Sequence, residues 1–93
     1  MKNITVQVIQ PSLPKDCALA WNYWRQNATG KKYIYYCTAL DCGREDILPT
    51  FVKLIHPKDE RPHLVPLCRL HQRTEGTIAL NARVVPVLAD QTL

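Results

Sequence analysis

Two pairs of metal-ligating side chains constrain this 93-residue chain more than any other feature: Cys37 and Cys42, then Cys68 and His71, with residues 43–67 between them. Thiolate and imidazole are the donors zinc prefers in a tetrahedron, and two local pairs separated by a longer segment are the usual way a sequence supplies four of them. The gap in Cys37-x4-Cys42 is wider than the common two residues and lies inside the observed window of about two to four, which implies a broad knuckle loop. Cys-x2-His at the start of a helix sets both side chains on one face, a turn apart. Gly43, directly after Cys42, frees the backbone to turn and aim amide N–H groups at the sulfurs. A closed Cys3His set points to a structural metal rather than a catalytic one, because catalytic zinc keeps a position open.

Two other assignments of these residues stand beside that one. In one, Cys37 and Cys68 are buried core thiols, since free Cys often packs as a small hydrophobe. Alternatively Cys17, His56 or His63 replaces one of the four; Cys17 falls on the apolar face of a predicted helix, and the two histidines sit near prolines and charges, as turn residues do.

A chain this short is expected to be one domain with a core of limited margin. Apolar content of 46% argues for a globular chain, and a net charge of +4 is compatible with nucleic acid without indicating it. No apolar run approaches the length of a membrane span. The N-terminus alternates apolar and polar residues, unlike a signal peptide, so a cytoplasmic protein with reduced cysteines is expected.

The single domain, 1–93, divides into three parts. In residues 1–30, Ile4, Val6 and Val8 share one face of a strand, "PSLP" breaks the backbone, and an amphipathic helix capped by Asp16 carries Cys17, Ala20, Trp21, Trp24 and Ala28 towards a stop at Gly30. In residues 31–76, "KKYIYYC" reads as a strand entering Cys37, a second strand spans about 50–56, "PKDERP" is a turn, and Pro66 opens a helix that runs to Gly76. Residues 77–93 read as extended, with Val84, Val85 and Val87 in a segment that Pro86 confines to a sheet edge. The fold class expected is α+β: a small ββα zinc core with an added N-terminal strand and helix.

The order knuckle, hairpin, ligand-bearing helix resembles a treble-clef zinc finger. Within that group "HLVPLCRLHQ", residues 63–72, resembles the lead into the helix of HNH-type nucleases, a likeness that covers about residues 35–76. The family's general-base His is matched by Lys53 or Leu54, with His56 displaced against Pro57. Its Asn is matched by His63, and the His that holds the catalytic ion is matched by Gln72. The resemblance therefore implies a degenerate, non-catalytic domain, similar to accessory proteins of phages and mobile elements, including inhibitors of host defence. The alternative is an HNH-like metal-dependent endonuclease using His56 and His63.

A non-catalytic zinc platform would engage nucleic acid or a nucleic-acid-processing protein. Arg69 and Arg73, four apart on one helix, with Lys31, Lys32 and Lys53, are phosphate-contact candidates, joined by Lys58, Arg61 and Arg83. Tyr33, Tyr35 and Tyr36 can stack on bases or pack internally. Trp21 and Trp24 belong to the core, whereas Tyr23 and Arg25 lie off that face as contact candidates. A third reading is a structural protein–protein interaction domain, dimeric through its N-terminal strand.

Overall fold

The computed structural model describes residues 4–27, 36–81, 84 and 86–89. The elements are β1 (Thr5–Val8), α1 (Cys17–Asn27), β2 (Ile47–His56), β3 (Asp59–Cys68), α2 (Arg69–Gln72), β4 (Thr77–Ala79) and β5 (Val87–Leu88). The strands form one antiparallel sheet in the order β4-β1-β2-β3-β5. The expected α+β class is what the chain adopts. No helix among the described residues is long and apolar enough to cross a membrane.

β2 and β3 are the spine of the sheet. The sequence ILPTFVKLIH is rich in β-branched and aromatic residues, and Thr50, Val52 and Leu54 are buried. The strand begins at Ile47, ahead of the expected start, because Ile47 and Leu48 pair with Cys68 and Leu67. β3 is buried without a break from His63 to Cys68, so this end of the strand is covered on both faces and its residues are nearly all apolar rather than alternating. That burial overturns the role expected of Pro66. It lies within β3, across from Pro49, and does not open a helix. Residues 64–68 stay extended because they are paired with β2, and the helix shrinks to the four residues of α2.

β1 pairs with β2 on one side and β4 on the other. The N-terminal strand is thus an inner strand of the sheet, with both of its edges paired within the chain rather than presented as an open edge. β4 and β5 are the outer strands, and Pro86 directly precedes β5, at a sheet edge as expected.

α1 starts where its cap says it should: the Asp16 carboxylate accepts the Leu19 N–H at 3.0 Å. Ala20 and Trp24 are buried among Val6, Val52, Leu54, Leu64 and Ile78, with Trp21 half-buried beside them. Tyr23 does not project outward as a contact residue. It packs against the core, and its hydroxyl donates to the Leu88 carbonyl at 2.8 Å, tying α1 to β5. Of the expected strand at "KKYIYYC" only Tyr36 and Cys37 are described, and neither is in a strand; the stop at Gly30, and Lys31, Lys32, Tyr33, Tyr35, Arg83 and Val85 lie outside the described residues.

Beside the β2–β3 turn, Asp59 accepts the Arg61 backbone N–H at 3.1 Å and both prongs of its guanidinium, at 3.0 and 2.7 Å. Arg61 thereby lowers the Asp59 carboxyl from 3.8 to about 2. A depressed carboxyl stabilises the fold above its ordinary value of 3.8 and loses that effect as pH falls through about 2. Asp59→Asn should lower the urea midpoint at neutral pH slightly, as befits an exposed pair, and leave the midpoint below about pH 2 unchanged, so that the acid limb between them flattens. In the core, Leu64→Ala should cost about 2–5 kcal/mol by urea denaturation, whereas Leu19→Ala, on the exposed face of α1, should stay within about 0.5 kcal/mol.

Candidate metal centre

The first ligand pair sits on a loop between Cys37 and Cys42 that is strapped on two sides. Thr38 gives its backbone N–H to the Pro66 carbonyl at 3.1 Å and its hydroxyl to the same oxygen at 2.6 Å. On the other side, Leu40 N–H reaches the Ala79 carbonyl and Asn81 N–H reaches the Thr38 carbonyl, both at 2.8 Å. The loop turns at Ala39–Cys42, closed by Cys42 N–H to Ala39 O at 3.1 Å, and Cys37 N–H donates to Arg44 O at 2.8 Å. The residue that takes the left-handed conformation is Asp41, with φ of 61°. Asp tolerates that region better than most side chains. Gly43, expected to make the turn, is not left-handed, and a Cβ there would meet nothing within 4 Å.

The second pair straddles a boundary. Cys68 is the last residue of β3 and the N-cap of α2, its sulfur accepting the His71 backbone N–H at 3.4 Å. His71 follows on that single turn of helix, half-buried. The ligand atoms of Cys37, Cys42, Cys68 and His71 all lie within 4.8 Å of one another. His71 Nδ1 is 3.5 Å from Cys37 Sγ and 3.2 Å from Cys68 Sγ, and the Cys42 and Cys68 sulfurs are 4.0 Å apart. All four cysteines of the chain are free, and 4.0 Å is far beyond the roughly 2.05 Å of a disulfide.

Those separations suit a common ion. Zinc about 2.3 Å from each sulfur places tetrahedral sulfurs about 3.8 Å apart, and a nitrogen about 2.0 Å away sits slightly closer to its neighbours. The four residues can therefore hold a metal of that size with little movement. Without a cation the site resists ionisation unevenly. Burial, chiefly, pushes the Cys37 thiol up to about 12. Cys68 is also opposed by burial, but the N–H groups of His71 and Leu70 and the facing thiols outweigh it and lower the pKa overall. Thiolate is the form that ligates, so binding has to expel protons.

The remaining candidates disperse. Cys17 is half-buried on α1 and not in the group. His56 is exposed at the end of β2, opposite Thr5, whereas His63 is buried within β3 opposite Val52. His63 Nδ1 donates to the Arg61 carbonyl at 2.7 Å, and Nε2 stands 3.8 Å from the Asp59 carboxylate. His63 also lies five residues before Cys68 in one strand, about 17 Å away. The two histidines meet neither each other nor the cysteines. Arg25, Arg69 and Arg73 are exposed, and Lys53 is half-buried.

Sequence reasoning overlooked three supports. Thr38 and Ser12 are short polar residues that give no sign of burial. Gln72 was read only as a missing His, yet its amide donates to the buried Ser12 hydroxyl, and Ser12 in turn accepts the Phe51 N–H at 2.7 Å. Arg44 and Asp46, inconspicuous in the sequence, form a two-pronged pair beside the knuckle.

Zinc titrated into metal-free protein should release protons at neutral pH, because Cys37 is then a thiol. Its affinity should rise with pH, since thiol deprotonation accompanies ligation. Titrations in buffers of different ionisation enthalpy, repeated across pH, measure both. No family model, no curated protein and no solved structure matches this chain.

Proposed function

We propose that the chain is a non-catalytic, zinc-stabilised nucleic-acid-binding protein of treble-clef type. The observation that carries this reading is the convergence of Cys37, Cys42, Cys68 and His71 within 4.8 Å. Three thiols and an imidazole favour zinc over oxygen-seeking cations such as magnesium. Four protein donors complete a tetrahedron and leave no position for substrate or water, so the metal's work is structural. Structural zinc contributes about 10–16 kcal/mol in small zinc domains, comparable with the whole stability of about 5–15 kcal/mol typical of a folded domain.

Support for a binding role comes from charge. Arg69 and Arg73 are exposed on and directly after α2, next to the ligands, and neither forms an ion pair among the described residues. Arg25 is exposed as well. Such cations can neutralise phosphates. The endonuclease reading fares worse, because His56 and His63 are apart, and Gln72, at the family's metal-holding position, is engaged with Ser12. A protein partner is the second reading, favoured by two leucines beside the ligands: Leu40 is 44% exposed and Leu70 64% exposed.

The test starts with purified full chain, which should carry one zinc per molecule and lose structure by circular dichroism on chelation. Binding to a duplex oligonucleotide should weaken with salt. Arg69→Ala and Arg73→Ala should each reduce the log–log slope by about 1. Absence of bound zinc would sink the metal assignment. Salt-independent or undetectable nucleic-acid binding by zinc-loaded protein would favour the protein-partner reading, and plasmid cleavage with magnesium would restore the nuclease.

A further inference from the structure

The chain contains two Arg–Asp pairs of the same fork geometry. Arg44 meets Asp46 through Nε–Oδ1 and Nη2–Oδ2, both 3.0 Å, and Arg61 meets Asp59 through the same atoms at 3.0 and 2.7 Å. Both arginines are more than half exposed, at 54% and 67%, and exposed pairs of this kind add little to folding stability. Their surroundings differ. Arg61–Asp59 flanks the β2–β3 turn, whereas Arg44–Asp46 lies between the two halves of the metal centre.

Arg44 is two residues beyond Cys42, and its carbonyl accepts the Cys37 N–H at 2.8 Å. Asp46 precedes Ile47, the register partner of Cys68, which brings Asp46 beside Arg69, the first residue of α2. The pair thus spans from the knuckle exit to the strand–helix junction that presents Cys68 and His71. Asp46 is held below the usual carboxyl range first by the Arg44 side chain, with the Arg69 backbone N–H also contributing.

Three thiolates, a neutral imidazole and Zn2+ leave one net negative charge on the centre. We propose that Arg44, oriented by Asp46, is the outer positioning residue that offsets this charge and sets how tightly the metal is retained. The inference rests on the structural-zinc reading. A neighbouring cation lowers the energy of the ionised thiolates, and its fork partner keeps it from swinging into solvent, as outer partners of metal ligands commonly do.

The experiment is a chelator competition on full-length protein loaded with one equivalent of Zn2+, at low salt. R44Q should bind zinc about tenfold more weakly, the lower end of the range for outer-shell substitutions, as befits an exposed group. R44K, which keeps the charge without the fork, should recover most of the loss, and the gap between wild type and R44Q should narrow as salt rises. D46N should also weaken retention, and R61Q should match wild type. R44Q within about twofold of wild type, or R61Q losing as much as R44Q, overturns the proposal, because outer partners typically shift affinity by 10–100-fold. Should R44Q not fold, unchanged affinity in D46N overturns it. Wild type that takes up no zinc sinks the structural-zinc reading and this inference together, whereas zinc-loaded wild type with an unaffected R44Q sinks this inference alone.

Discussion

One carbonyl oxygen, that of Pro66, receives both the backbone N–H and the hydroxyl of Thr38. Among the described residues β5 pairs with β3 at His63 and Leu64, and the outer edge of β3 at Pro66, ahead of Cys68, has an opening. The knuckle fills that opening. Through Thr38 it hangs from the strand that ends in Cys68, and through Leu40 and Asn81 it is tied to the chain following α2. Two distant pieces of sequence are thereby held at the separation a shared ion requires. The hydroxyl bond is buried, where an unmatched polar group is costly, so the arrangement has little freedom to drift.

How much of this was legible in the residues varies with the kind of signal. The convergence of Cys37, Cys42, Cys68 and His71 was readable because few residue types bind metal through sulfur or imidazole and their spacing is local. The start of α1 was readable because Asp16 caps it by a short-range bond, and the strand character of residues 4–8 because Val6 alternates with half-buried neighbours. Pro66 was misread for a physical reason. A proline before a helical pattern looks like a first-turn residue, but pairing with β2 holds it extended, and its lack of an N–H is harmless opposite another proline. The extent of α2 failed with it. Tyr23 was misread because a three-to-four periodicity assigns faces only relative to a partner, and β5, which supplies the acceptor, lies far along the chain.

Gln72 and His63 stand where the sequence resembles the site of HNH-type nucleases, and both are engaged within the fold. At the family's metal-holding position stands an amide, and here it donates to a buried hydroxyl rather than facing an open cavity. His63, in place of the family's Asn, is sealed in β3 with its ring nitrogens turned to Arg61 and Asp59. Both side chains are thus occupied by contacts within the chain.

Cys68 belongs to a strand, a helix cap and the ligand set at once, and this has a consequence for how the sheet selects its alignment. A strand apolar on both faces buries nearly as much surface if it slides by one residue, so the hydrophobic pattern of residues 64–68 discriminates poorly between alignments. A one-residue slide, however, turns every side chain to the opposite face. It would carry the Cys68 sulfur away from the knuckle and leave an ion with an incomplete tetrahedron. A bound metal would thus act as a proofreader of β2–β3 alignment: the pairing of Ile47 with Cys68 brings all four donors together, and chain zipped one residue out of step would fail to hold the ion.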